Sequence, residues 1–160
     1  MKEIPLTQDK VALVSDCDFE YLNQWKWFAQ KQRSRYRVLH GTYEKGTGKK
    51  GINLMHRVVA ERMGILAPQI DHIDLNPLNN QRENLREATP SQQGYNRGLQ
   101  QNNTSGVKGV IYEKRTGRWV PRVKCDGKTH YAGSYTDKEE ARRVVVALRR
   151  KLHGEFACDE

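Results

Sequence analysis

Cysteine, proline and phenylalanine are scarce in this chain of 160 residues, which has three Cys, five Pro and three Phe. Cys17, Cys125 and Cys158 form no C-x-x-C pair. That spacing excludes a zinc ribbon, so no structural zinc is expected, and an odd count predicts free thiols in a reducing compartment. No apolar run is long enough to span a bilayer, and the sequence shows no signal peptide. No membrane partner is therefore expected, and the expected location is cytoplasmic. Acidic residues are outnumbered, with 19 Asp and Glu against 28 Lys and Arg, for a formal net charge of +9. Disorder does not follow, because 36% of residues are hydrophobic and three are Trp, enough to build a core. A folded, basic chain suits a polyanionic partner. This length holds one domain or two small ones.

The first apolar pieces, Ile4-Pro5-Leu6 and Val11 to Val14, flank Gln8-Asp9-Lys10 and predict a hairpin. Ser15 or Asp16 can cap a helix running to about Asn23. Residues 35–43 alternate as a strand, residues 46–51 form a basic turn, and residues 52–55 supply its pairing strand. A helix over residues 56–63 follows and Gly64 stops it. Strands are expected at residues 69–73 and 85–89, and Pro90 starts a helix. Residues 98–103, inside the aperiodic run RGLQQNNTS, are a linker. Strands at 109–112, 118–125 and 129–135 come next, with turns at Gly117 and Asp126-Gly127. Thr136-x-x-Glu139 reads as a capping box for a helix. Its apolar stripe is Ala141, Val144, Val145, Leu148 and Leu152, with Arg142, Arg143, Arg149 and Arg150 on the other side. The fold class is α+β. Pro121 falls in the middle strand of the last sheet, where a missing ladder donor predicts a bulge or an edge.

The most informative stretch is DHIDLNPLNNQRENLREATPSQQGYN, residues 71–96. It spends many Asn, Asp and Arg and few large apolar residues, so hydrogen bonds, a metal or a ligand must hold it. The Asp71 carboxylate is a hard oxygen ligand of the kind Mg²⁺ or Mn²⁺ prefers. The adjacent His72 imidazole can accept a proton from water near neutral pH. Asn84 stands twelve positions after His72, and its amide can lock a loop. These residue types fit metal-assisted phosphodiester hydrolysis. A lone Asp-His pair is structural in most proteins; the spacing to Asn84 and its context shift that balance.

DHID, N-P-L-N-N and E-N-L-R-E-A-T together resemble the HNH endonucleases of the phage and intron homing type. KEIPLTQDKVALVSDCDFEYLNQWKW and LMHRVVAERMG are similar to the N-terminal half of the same group. The run from Ser105 to Ala157 resembles an AP2-type DNA-binding module. The resemblance implies a ββα-metal nuclease domain over residues 1–97, its core about 68–97. A second domain over residues 104–160, a three-stranded antiparallel sheet packed on one helix, would follow. It implies a metal-dependent DNA endonuclease with one divalent cation, Mg²⁺ or Mn²⁺, encoded by a phage or bacterium. Double-stranded DNA is the implied partner, and no obligate protein partner is inferred. Carried over by position, His72 is the general base, Asp71 a metal ligand, and Asn84 the residue that ties the loop so that His72 presents the right nitrogen. The third motif position, nine after Asn84, is Gln93, where the family has Asn or His. Either Gln93 ligates the metal, or Asn96 takes that role, or the nuclease is impaired and the chain is a non-catalytic DNA-binding protein or regulator. An RNA-binding chain is a further alternative, disfavoured because the sheet lacks an aromatic stacking pair.

Asp74 either ligates the metal or caps the loop through an Asx turn. His56 is expected to be structural. Arg82 and Arg86 either hold phosphates or form a solvated face. On the C-terminal sheet, Trp119 and Val123 should face the helix, with Arg122 and Lys124 opposite. Lys108, Arg122, Lys124 and Tyr131 match the contact positions of the AP2 module.

Overall fold

Ile4, Ala12 and Val14 lie almost fully buried on one side of the first hairpin, as period-two alternation requires. The computed structural model describes residues 1–32, 35–43, 46 and 48–159. The hairpin strands are β1 (Lys2–Pro5) and β2 (Val11–Val14), paired antiparallel. Gln8 and Asp9 turn the corner at φ 62° and 52°, the left-handed geometry of a tight hairpin. Helix α1 (Asp16–Leu22) follows Ser15, whose hydroxyl caps none of the helix N–H groups. That oxygen instead accepts from the backbone N–H of Arg82 at 2.9 Å.

A three-stranded antiparallel sheet comes next: β3 (Phe28–Gln32), β4 (Arg35–Tyr43) and β5 (Lys50–Leu54), with β4 in the centre. The expected strand at 35–43 is β4. Strand β3 was not foreseen, and residue 47 of the expected basic turn lies outside the described residues. Helix α2 (Met55–Arg62) ends at Gly64, φ 79°. Short strands β6 (Ile70–His72) and β8 (Leu85–Glu87) pair antiparallel. Between them β7 (Asn79–Asn80) runs parallel to β2. Leu22, Trp27, Val38, Met55, Val59, Ile70 and Leu85 share one core. The Trp27 indole donates to the Leu22 carbonyl at 2.8 Å, so this large ring is buried with its N–H satisfied.

The chain divides into two compact units, Met1–Ala88 and Thr89–Glu160. The boundary lies nine residues before the end of the expected first domain, and helix α3 (Pro90–Tyr95) groups with the second unit. Thr89 and Gln92 form a capping box at its start. At its end the Tyr95 ring stacks on His153 at 3.8 Å, and its hydroxyl donates to Asp126 at 2.8 Å.

In the second unit β9 (Val110–Glu113), β10 (Arg118–Cys125) and β11 (Lys128–Tyr131) form an antiparallel sheet with β10 central. Helix α4 (Lys138–His153) packs on it. Trp119 bridges Tyr135 while Arg122 pairs Tyr131. Three steps on β10 thus face four on the opposing chain, which is the bulge expected at Pro121. Gly133, φ 83°, lies inside that bulge. At Gly109, φ 78°, a Cβ would meet the Arg122 carbonyl at 2.8 Å and Val145 at 2.9 Å, so only glycine fits where sheet and helix approach.

Two expectations for α4 are corrected. Asp137, not Thr136, caps it, accepting from the Glu139 N–H at 3.0 Å. Arg149 is 2% exposed and not on the solvent side; it donates to the Lys108 carbonyl and to Asp159. Among the described residues no helix is long and apolar enough to cross a membrane.

Candidate functional site

The loop between β6 and β8 is held by its own amides. Asp74 accepts from the Asn76 N–H at 2.8 Å, an Asx turn, and from the side chains of Asn79 (2.7 Å) and Asn84 (2.9 Å). Asn84 also donates to the Asn79 carbonyl at 2.8 Å and accepts from the Asp74 N–H at 3.0 Å. Leu75 lies between these bonds at φ 62°, a left-handed conformation that a branched side chain adopts only when its surroundings impose it. Of the two readings of Asp74, the loop role is the one the geometry displays. Asn84, 6% exposed, ties residues 74–79 to the start of β8.

His72 ends β6, and its ring approaches that of His56, the second residue of α2, with centroids 5.3 Å apart and planes at 75°. Its Nε2 lies 3.4 Å from the Asn80 side-chain oxygen. The Asn80 amide is fully buried, and its nitrogen donates to the Pro77 carbonyl at 3.2 Å. Flipping the amide would lose that bond, so the oxygen faces the ring and Nε2 must carry the hydrogen. The lone pair of the neutral imidazole then resides on Nδ1. Asn80 escaped the sequence reading because it is one of several Asn in a polar run.

Burial pulls the His72 pKa below its ordinary value; the bond to Asn80 and the carboxylates of Asp74 and Asp71 oppose this. The imidazole is thus neutral at pH 7 and competent to take a proton. Burial pushes His56 down to about 3, with the neighbouring His72, Arg57 and Arg37 acting in the same direction. The folded state therefore resists protonation that the unfolded chain accepts near pH 6.5. Stability carried by neutral His56 is full above that pH and is lost as pH falls from about 6.5 towards 3. The slope should reach about 1.4 kcal/mol per pH unit. Urea unfolding in EDTA between pH 7 and 5 checks this. A falling midpoint that falls less steeply in His56→Gln is expected, since His72 contributes in the same direction; a midpoint independent of pH would refute the assignment.

Asp71 is 6% exposed and receives the Arg86 guanidinium at 2.9 and 3.1 Å. Arg82 binds Asp18 at 2.6 and 2.8 Å. Both arginines are thus bound to buried carboxylates, with the Arg82 side chain 35% exposed. The Lys108 ammonium donates to the carbonyls of Tyr95 (3.1 Å) and Cys158 (2.8 Å). Arg122, Lys124 and Tyr131 are exposed, on the β10–β11 face away from Val123 and α4. Gln93 and Asn96 belong to α3 and its C-cap in the second unit, Asn96 buried and Gln93 half-buried.

Among the described residues no three His, Cys, Asp or Glu side chains gather as a cation cage. The oxygen donors nevertheless fit a hard divalent ion by class. Mg²⁺ usually takes one or two carboxylates, keeps several waters and completes its shell from substrate phosphate. Asp71, in the first unit, carries a carboxylate of that class.

Comparison with known proteins places this region. A profile described as HNH endonuclease matches residues 53–95, from the end of β5 through α3. The chain is 42% identical over 88 residues to Protein 3.8 of Escherichia phage T7, a match covering 55% of this chain and 72% of that protein. It is 34% identical over 89 residues to a protein of Acanthamoeba polyphaga mimivirus named as an uncharacterized HNH endonuclease. That second match covers 56% of this chain and only 45% of the mimivirus protein.

Proposed function

We propose that this chain, which carries an HNH endonuclease domain over residues 53–95, is a metal-dependent DNA endonuclease of the homing type in which His72 is the general base. The observation that carries this reading is the state of His72: neutral, at the end of β6, with Nε2–H turned to Asn80 and the neighbouring carboxylate of Asp71 in the same strand. A divalent cation bound at Asp71 would neutralise charge developing on the phosphate. His72 Nδ1 takes the proton of the attacking water, and the bond from Nε2–H to Asn80 keeps the ring in that tautomer. Asn84 and Asp74 fix the loop, so little reorganisation is left for the reaction itself. Either Gln93 or Asn96 is the further ligand in this proposal. Arg122, Lys124 and Tyr131 on the outer face of the C-terminal sheet are its AP2-like DNA contacts. A tethered second module raises the effective concentration of the nuclease on a chosen site.

Incubation of supercoiled plasmid with the protein in Mg²⁺, Mn²⁺ or EDTA tests the proposal. Nicked or linear product in either metal and none in EDTA is expected; intact plasmid under all conditions would overturn it.

The second reading, a DNA-binding regulator built on a silent nuclease, is favoured by Gln93, which is one methylene longer than the family's Asn at this position. Ligands displaced by fractions of an ångström lose activity. Gln93→Asn separates the two. If Gln93 is an imperfect ligand, the shorter amide should maintain the cleavage rate or raise it. If Gln93→Ala leaves the rate unchanged and Asn96→Ala abolishes it, Asn96 is the ligand. A wild type inert in both metals and activated by Gln93→Asn would establish the silent-nuclease reading.

A further inference from the structure

His56 is a polar side chain in an apolar position. It is the second residue of α2 and lies one turn before Ala60, so helical spacing turns it to the side on which Met55, Val59 and Ala60 are buried. An apolar residue there would extend the core. The imidazole is half-buried instead, and no hydrogen bond among the described residues involves its ring. Among those residues the sealed polar side-chain atoms without a partner are Gln69 Oε1 and His153 Nδ1. The His56 nitrogens are not of that kind, so they reach the surface. A polar group on the buried side that the fold leaves unpaired costs stability. Such departures gather where function requires them.

What the ring does touch is His72. Centroids 5.3 Å apart and planes at 75° set the edge of one ring against the face of the other, so a group bound beside His72 is within reach of His56. An imidazole carries at least one N–H in either protonation state. The charges of Arg57 and Arg37 that bear on the His56 ring are both positive. An N–H donor in positive surroundings suits an anion.

The reaction proposed above places an anion there. As His72 takes a proton from water attacking phosphorus, negative charge grows on the nonbridging phosphate oxygens beside it. A fixed donor aimed at those oxygens stabilises the transition state more than the ground state.

We propose that His56 is a second catalytic residue, its ring N–H donating to a nonbridging oxygen of the scissile phosphate while His72 activates the water. The inference rests on the nuclease reading and deepens it by assigning the phosphate a donor from α2.

Two replacements in the full chain separate this role from packing. His56→Phe keeps a flat ring against His72 and removes the N–H, whereas His56→Gln loses the ring and supplies an amide N–H. Circular dichroism at the assay temperature verifies that both are folded. In Mg²⁺ or Mn²⁺ the kcat of His56→Phe should fall about 100- to 1,000-fold, the cost of losing one oxyanion donor. Its KM for duplex DNA should stay close to that of the wild type, as for an interaction made in the transition state. His56→Gln should retain more of the rate than His56→Phe. The reverse order, or a His56→Phe as fast as the wild type, would show that the ring only packs.

A second measurement needs neither turnover nor a variant. In EDTA, NMR of ¹⁵N-labelled wild type should show the His56 ring N–H moving downfield and exchanging more slowly with water as duplex DNA is added. Ring signals unmoved at saturating duplex would overturn the proposal even if both variants failed to fold. A wild type that cleaves nothing in either metal yet shows this response would sustain the phosphate contact and overturn the nuclease reading instead.

Discussion

Replacing His72 by alanine is expected to lower metal-dependent cleavage of duplex DNA by about 100- to 10,000-fold, the range that general-base catalysis supplies. The fold should survive. His72 ends a three-residue strand and stands outside the hydrophobic core formed by Leu22, Trp27, Met55 and Val59. Asn80, which lies 3.4 Å from the ring, keeps its bond to the Pro77 carbonyl when the imidazole is gone. Asp71 remains with Arg86, so the metal dependence of any residual cleavage should be unchanged. The same chemistry has a signature without turnover. In metal-free protein at pH 7, ¹⁵N NMR should find His72 as the Nε2–H tautomer, and Asn80→Ala should release that preference. Three results would remove His72 from its role: an unfolded variant, undiminished cleavage by a folded one, or a wild-type ring protonated on Nδ1 alone.

The distinction between His72 and Asn80 illustrates what the amino-acid order reveals. His72 and Asn84 stand out because their types and spacing are unusual in a run with little apolar content. Asn80 has the same type as Asn76 and Asn79, and only its burial sets it apart. The secondary structure follows the same division. The hairpin, β4, α2 and the C-terminal sheet and helix announce themselves through alternation, helical periodicity and turn glycines. Strand β3 does not, because in FAQKQ only Ala29 is buried and the polar side chains conceal the alternation. Strand β7 is two asparagines pairing with β2 across the fold, a non-local contact without an apolar pattern. Arg149 reads as a solvated charge in the sequence, and Arg82 and Arg86 as phosphate contacts or a solvated face, yet each meets a carboxylate or carbonyl brought from elsewhere. Formal charge says nothing of such partners.

Asp18→Ala should be the most destabilising single change near the site, at about 3 kcal/mol. Asp18 is fully buried in α1. It receives Arg62 at 2.7 Å and Arg82 at 2.6 and 2.8 Å, so one carboxylate ties α1 to α2 and to the turn Arg82–Asn84. Removing one member of a buried ion pair leaves the partner charge uncompensated, at about 3–5 kcal/mol. The lower end applies because the arginine side chains are 32% and 35% exposed and water screens them. The damage should extend beyond stability, since Arg82 also anchors Ser15 through its backbone N–H and stands two residues before Asn84. Cleavage at a temperature where Asp18→Ala is still folded should therefore fall, although Asp18 touches neither His72 nor Asp71. The hydrogen bonds from Arg82 hold the Asp18 carboxyl below its ordinary value of 3.8, with Arg62 assisting and burial opposing. Its folded-state pKa is depressed, so its stabilisation is complete above the unfolded value and disappears as pH falls through the lower, folded one. Urea midpoints of wild type and variant should thus differ fully at pH 7 and converge below about pH 3.8. A pH 7 difference smaller than about 0.5 kcal/mol, the range of an ordinary surface substitution, would mean that the Asp18 triad does not hold the turn that carries Asn84.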